Sequence, residues 1–256
     1  MQQDLTNPDY WDQHHSTKPS AARGLRGWIR SRLREQHASL LQQLLDAPGR
    51  EEARVLEIGC APGTMIELMC RLRPRFQYSG IDYAPEALEE TRHRLAAVGI
   101  EAELHQGDVR EFRPPSPFDL VVSFGLVEHF DDPLPMVECH ARCAAPGGVV
   151  AIAVPNYATP RAQRILLQHI APEIFRTHNF AIMDPAVLGR ALEAAGLKDV
   201  RSGTGTGAHF YTGGTASGAV ARAYLLGARA WNVGAACLPA VRHLWGCRIW
   251  ATGRVR

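Results

Sequence analysis

Val55-Leu56-Glu57-Ile58-Gly59-Cys60-Ala61-Pro62-Gly63-Thr64 is an apolar run that breaks into a glycine turn, and Ile81-Asp82-Tyr83 follows about one strand and one helix later. Glycines in such a turn let backbone N–H groups at the start of the next helix come close to an anionic group. An acid at the end of the neighbouring strand is placed to accept both hydroxyls of a ribose. Together they point to a nucleoside-bearing cofactor.

Spacing removes two classes of nucleotide site. A dinucleotide turn needs G-x-G-x-x-G, whereas this one reads Gly59-x-Ala61-x-Gly63, with Thr64 where the last glycine would stand. A P-loop needs Lys and then Ser or Thr after its last glycine, and here Gly63 is followed by Thr64-Met65.

Outward from the turn, strand and helix patterns alternate from residue 54 onward. A helix is expected over 64–73, stopped by Pro74, and a second over 86–98, opened by Pro85 and closed by Gly99. Strands are expected near 101–106, 118–123 and 148–154. A further helix over 184–195 has Asp184 as N-cap, Pro185 in its first turn and Gly196 as its stop. This alternation predicts an α/β fold: a doubly wound, mostly parallel sheet with helices on both faces. Ligands then bind beyond the carboxyl ends of the strands, where the residues quoted above lie.

In order and spacing these segments resemble the class I S-adenosylmethionine-dependent methyltransferases, and within them the ubiquinone-biosynthesis-like enzymes. Glu57 with the Gly59 to Gly63 turn resembles the first motif of that family, Ala61 standing where a glycine is usual. Ile81-Asp82-Tyr83, Gln106-Gly107-Asp108-Val109, Leu126-Val127-Glu128-His129-Phe130 and Pro146-Gly147-Gly148 resemble its later segments, so that the likeness runs over about residues 54–200. The resemblance implies a Rossmann-like seven-stranded sheet with strands near 197–204 and 247–254, the last antiparallel. It also implies S-adenosylmethionine as cofactor. Glu57, Gly59, Ala61 and Gly63 would then bind its methionine part, Asp82 its ribose, and Tyr83 would pack on adenine. Asp108 would accept the exocyclic amine and the Val109 N–H would meet a ring nitrogen, with Phe124 and Gly125 near the transferred methyl.

A sulfonium donor requires alignment of the nucleophile more than covalent help from the protein. An oxygen or amine acceptor must still lose a proton, and His129, in the loop after the fourth strand, is the expected base, with His178 second. The competing role for His129 is to fasten that loop. Glu128-His129 is similar to the E-x-x-E-H of metal-using members, but Gly125 stands three residues before Glu128, so no metal is expected. Cys139-His140-x-x-Cys143 falls in a helical pattern and reads as buried small hydrophobes rather than as ligands.

The chain of 256 residues has 28 Lys and Arg against 26 Asp and Glu, a net charge of +2, which does not mark a nucleic-acid binder. After the fourth strand stands Ser123-Phe124-Gly125-Leu126 in place of the Asn-Pro-Pro-Tyr of amino-methylating DNA enzymes. The start of the chain is polar, no run is long and uncharged enough for a membrane span, and the cysteines read as reduced, all of which suggests a cytoplasmic enzyme. Residues 1–52, with Lys18, Arg23, Arg26, Arg30, Arg32 and Arg34, read as an N-terminal helical cap on a core of residues 53–256. Within that core, 156–183 and the insertion 205–246 read as lids that shield methyl transfer from water. An insertion that packs on the sheet edge or forms a dimer contact is the other reading. The expected activity is methylation of a small organic acceptor, at oxygen ahead of nitrogen or carbon. A quinone or lipid methyltransferase at a membrane surface is the rival within the enzyme class, and a non-catalytic cofactor-binding module the rival outside it.

Overall fold

Strand β1 (Arg54–Ile58) has Val55, Leu56, Glu57 and Ile58 all buried, so that neither of its faces meets solvent and it is covered on both sides. The computed structural model, which describes residues 4–15, 40–205, 210, 218–237 and 246–256, places it near the middle of a seven-stranded sheet. The other strands are β2 (Gln77–Asp82), β3 (Glu103–Gln106), β4 (Phe118–Phe124), β5 (Ala144–Pro155), β6 (Lys198–Thr204) and β7 (Arg248–Arg254). Their order is β3-β2-β1-β4-β5-β7-β6; β1 to β5 are parallel, and β7 runs antiparallel to both β5 and β6. The direction of winding reverses between β1 and β4, and this reversal opens a crevice above their carboxyl ends.

The helices are α1 (Pro8–His15), α2 (residues 40–46), α3 (Thr64–Leu72), α4 (Pro85–Ala96), α5 (Leu134–Cys143), α6 (Arg161–Ile170), α7 (Pro172–Thr177), α8 (Pro185–Ala194) and α9 (Ala219–Cys237). On one face of the sheet, Leu56, Val121 and Ile152 pack against α5 and α8; on the other, Val55, Leu120 and Val122 pack against α2, α3 and α4. Helix α2 belongs to this sandwich, since Leu41 and Leu45 are each only 1% exposed. The N-terminal segment is therefore divided. Residues 4–15 reach the ligand edge and 40–46 form part of the core, while the basic stretch from Lys18 to Arg34 lies outside the described residues.

Local chemistry sets the helix starts. Asp184 accepts the Ala186 and Val187 N–H groups as the N-cap of α8. Helix α4 begins with Pro85 and has no cap of its own; Asp12 of α1 supplies one by accepting the Ala87 N–H at 2.9 Å. Strand β5 begins earlier than the sequence pattern suggests. Its first residue, Ala144, pairs with Phe118, and Pro146-Gly147 form an irregularity inside the strand instead of leading into it.

Away from the sheet, Leu167, Ile170 and Ile174 of α6 and α7 pack with Ala221 of α9 in a small separate cluster. This joins part of the 156–183 segment to part of the 205–246 insertion. Residues 206–209, 211–217 and 238–245 of that insertion are outside the described residues.

Candidate active site

A cavity of about 380 Å3 lies over the carboxyl ends of β1, β2 and β4, within the usual range for small-molecule sites. Its floor is the turn after β1. Gly59 has φ +71° and Gly63 φ +79°, and a Cβ on Gly63 would come within 2.8 Å of Thr91 Cγ2. Only glycine meets both demands at that position, and so α3 starts hard against α4. Glycine at the N-cap of α3 offers no side-chain acceptor. Near that end of the helix the Ile66 N–H acts to lower the pKa of Glu57, against the larger effect of its burial.

Asp82, at the tip of β2, braces the turn. Its Oδ2 accepts the Ala61 N–H and its Oδ1 the Ala84 N–H, each at 3.0 Å. Burial raises its pKa above the ordinary carboxylate value, although these N–H groups oppose the shift. Glu57 is raised further, first by burial and then by repulsion from Asp82, and among the described residues its buried Oε2 has no partner.

Beyond β3, Asp108 is gripped by Arg110, whose Nε lies 2.8 Å and Nη2 2.6 Å from Asp108 Oδ2. Burial alone would raise the pKa of Asp108; the hydrogen bonds and charge of Arg110 outweigh it and hold the value below the usual one. The same guanidinium donates to both oxygens of Asp4, at 3.0 and 2.9 Å. Leu5 N–H then donates to the His129 carbonyl at 2.9 Å, and the Trp11 ring stands edge-on to His129 with centroids 4.8 Å apart. Residues 4–15 thus form a strap across the crevice, tied at Arg110, at the 129–130 turn and at the start of α4.

His129 lies in the cavity wall and is only 4% exposed. Its Nδ1 is 2.6 Å from the Thr177 carbonyl. A carbonyl only accepts, so Nδ1 carries a proton, and in the neutral form of the ring Nε2 is the basic nitrogen. His178 does not line the cavity; it stands behind His129 with ring centroids 4.4 Å apart, its Nδ1 beside Thr177 Oγ1 and the Ile174 carbonyl. Glu128 is buried beside them, Oε1 3.8 Å from His129 Nε2, and burial pushes its pKa up to about 8 against the lowering charge of Arg248. One donor atom from each of Glu128, His129 and His178 lies within 4.8 Å of the others, a set able to hold a cation. Sequence spacing gives no hint that His178 joins this group.

Tyr83, Val109, Phe124 and Gly125 all line the cavity, as do Gly59, Ala61, Asp82 and Asp108. Gly63 lies just beneath, at the head of α3. Sequence reading missed Asp4, Trp11, Arg110 and Arg248 as parts of the site. Arg110 is two residues from Asp108 and could have been found from that spacing; the others come from remote parts of the chain and leave no local signal. Among the described residues that line the cavity, none comes from 156–183 or 218–237, and the roof they provide is the 4–15 strap. Cys139, His140 and Cys143 are buried in the hydrophobic core, where the thiols are free. Burial lowers the His140 pKa to about 4, and its Nδ1 is 2.7 Å from the Met136 carbonyl.

The sheet order, the glycine turn above β1 and the acid at the tip of β2 give the fold and cofactor cradle of the class I S-adenosylmethionine-dependent methyltransferases. The chain belongs to the methyltransferase-domain family, whose model matches residues 29–202. It is 32% identical over 130 residues to a trans-aconitate 2-methyltransferase of Methylobacterium nodulans, covering 51% of this chain and 48% of that one. With a ubiquinone biosynthesis O-methyltransferase of Xanthomonas euvesicatoria it shares 31% identity over 153 residues, 57% of this chain and 63% of the relative. The chain thus spans between about half and two thirds of the length of these relatives. Among solved structures, an O-methyltransferase family protein from Burkholderia thailandensis superposes with a TM-score of 0.59 at 14% identity, over 97% of this chain and 59% of that one. The N-methyltransferase NodS of Bradyrhizobium japonicum gives 0.52 at 18% identity, over 86% and 95%. At these identities the likeness is one of fold, and it spans enzymes named for different acceptor atoms.

The residues present fit the cofactor of this family. Glu57 Oε2 is a buried acceptor that lacks a donor, the floor of the cavity is a glycine turn, and Asp82 keeps acceptor capacity beyond its two backbone bonds. When bound, the sulfonium supplies an electrophilic methyl carbon.

Proposed function

We propose that this chain methylates an oxygen of a small organic acceptor, with His129 taking the proton that the acceptor loses. The observation that carries the reading is the Nδ1–H bond from His129 to the Thr177 carbonyl at 2.6 Å. It fixes the tautomer, so that Nε2 is the basic nitrogen of a ring that lines the cavity, and Trp11 and His178 pack against the imidazole. Glu57, Asp82 and Asp108 position the donor. The 4–15 strap covers the crevice and limits water, which would otherwise compete with the acceptor. Oxygen is favoured over nitrogen or carbon because one relative at 31% identity is named for O-methylation.

The test uses S-adenosylmethionine with a deuterated methyl group and a pool of small hydroxylated and amino acceptors, read by mass spectrometry. Label on oxygen is the expected result, with His129→Ala lowering turnover by about 100-fold while S-adenosylhomocysteine affinity stays near wild type. Label found only on nitrogen or carbon would overturn the choice of atom. A fully active His129→Ala would return that residue to a loop-fastening role.

A further inference from the structure

Arg248 is the first residue of β7 and pairs with Pro155, the last residue of β5. Its side chain therefore enters the cavity from the β5 and β7 half of the ligand edge. The turn after β1, Asp82 and Asp108 occupy the opposite half, above β1, β2 and β3. A cation on the far side of β4 from the donor's site faces the space left for the acceptor.

Among the described residues two arginines line the cavity, and their situations differ. Arg110 is held by Asp108 and Asp4. Among the described residues the Arg248 guanidinium has neither a hydrogen bond nor an ion pair, and Glu128, the acid whose charge it influences, is not within ion-pair distance. A guanidinium presents several N–H donors in a planar fork, and in a semi-enclosed cavity an anionic ligand pairs with them.

Resting on the methyltransferase reading above, we infer that the methyl acceptor carries a carboxylate and that Arg248 holds it by paired N–H···O bonds. The fork geometry matches the two oxygens of a carboxylate, and it orients the acceptor as well as binding it. Arg248 thereby selects acids from neutral molecules of the same shape, because a neutral amide leaves the cation without its counter-charge. The one other source of this chemistry is the carboxylate of the donor's own methionine part, and the experiment separates the two.

The full chain is saturated with S-adenosylhomocysteine and titrated calorimetrically with benzoate and succinate, and with benzamide and succinamide as neutral matches. Wild type is expected to bind each carboxylate at least about tenfold more tightly than its amide. Arg248→Gln removes that preference, Arg248→Lys keeps part of it, and both variants bind S-adenosylhomocysteine within about twofold of wild type. Equal affinity of wild type for acids and amides would overturn the inference without any appeal to a variant. So would a roughly tenfold loss of S-adenosylhomocysteine affinity in Arg248→Gln, which would assign the cation to the methionine carboxylate. A wild-type chain that binds acids but not S-adenosylhomocysteine would instead sink the methyltransferase reading, so the two failures are distinct.

Discussion

Asp82 accepts two backbone N–H groups, one from the glycine turn and one from the head of α4, and still faces the cavity. A residue in that position shapes the loop and meets the ligand with the same two oxygens. Asp82→Asn keeps the size but offers one acceptor oxygen, and its amide then points N–H at N–H on the other side. We expect a loss of about 1–3 kcal/mol in stability from the orphaned amide together with at least a tenfold loss in S-adenosylhomocysteine affinity. Chemical denaturation and calorimetry on the same variant measure the two effects. Unchanged affinity beside reduced stability would make Asp82 a brace and not a ligand. Legibility at this scale was uneven. The chemistry of Asp82 could be read from its place at a strand end, but its partner in the glycine turn could not, because Ala61 lies 21 residues away and carries no side-chain signal.

Elements show the same division. Helix α5 displays Cys139, His140 and Cys143 at spacings that fit both a metal site and a buried face, and the structure buries them. His140 is neutral there, its pKa lowered to about 4 by burial. The sign of the pH effect follows: below about pH 6.5 an unfolded chain takes up a proton that the folded chain refuses, so stability falls as pH drops toward 4. Replacing His140 by Leu removes this linkage. The expected result is that the stability gap between His140→Leu and wild type shifts in favour of the variant by on the order of 3 kcal/mol between pH 7 and pH 4. Denaturant melts at the two pH values measure it, and a pH-independent gap would show that His140 titrates normally. Strand and helix positions were legible because hydrophobic period and caps such as Asp184 are local. The early start of β5 was not, since it depends on pairing with Phe118 across the sheet.

Across the whole molecule, the sheet supplies a rigid edge and the N-terminal strap supplies its cover. Among the described side chains none of residues 4–12 belongs to the buried core clusters, although Asp4, Asp12 and Trp11 bind to Arg110, α4 and His129. A variant lacking residues 1–15 should therefore still unfold in one cooperative transition. Loss of the Asp12 cap should lower Tm by about 2–4 °C. Affinity for S-adenosylhomocysteine should drop by about tenfold because the strap no longer excludes water from the cavity. Scanning calorimetry and ligand titration test the pair, and an unaltered affinity would show that the strap covers the crevice without contributing to binding. Among the described residues no helix is long and apolar enough to cross a membrane.

By itself, the order of residues determined the alternation of strands and helices, the glycine turn and the acids above it, because each follows from neighbours a few positions apart. Folding alone decided what surrounds the reacting atoms. Asp4 and Trp11 meet Arg110 and His129 across more than a hundred positions, Glu128 and His129 are joined by His178, and Arg248 arrives on an antiparallel strand from near the end of the chain. Such contacts depend on how the sheet winds and where its last strands insert, and that geometry is set by burial of the core as a whole and not by any local pattern.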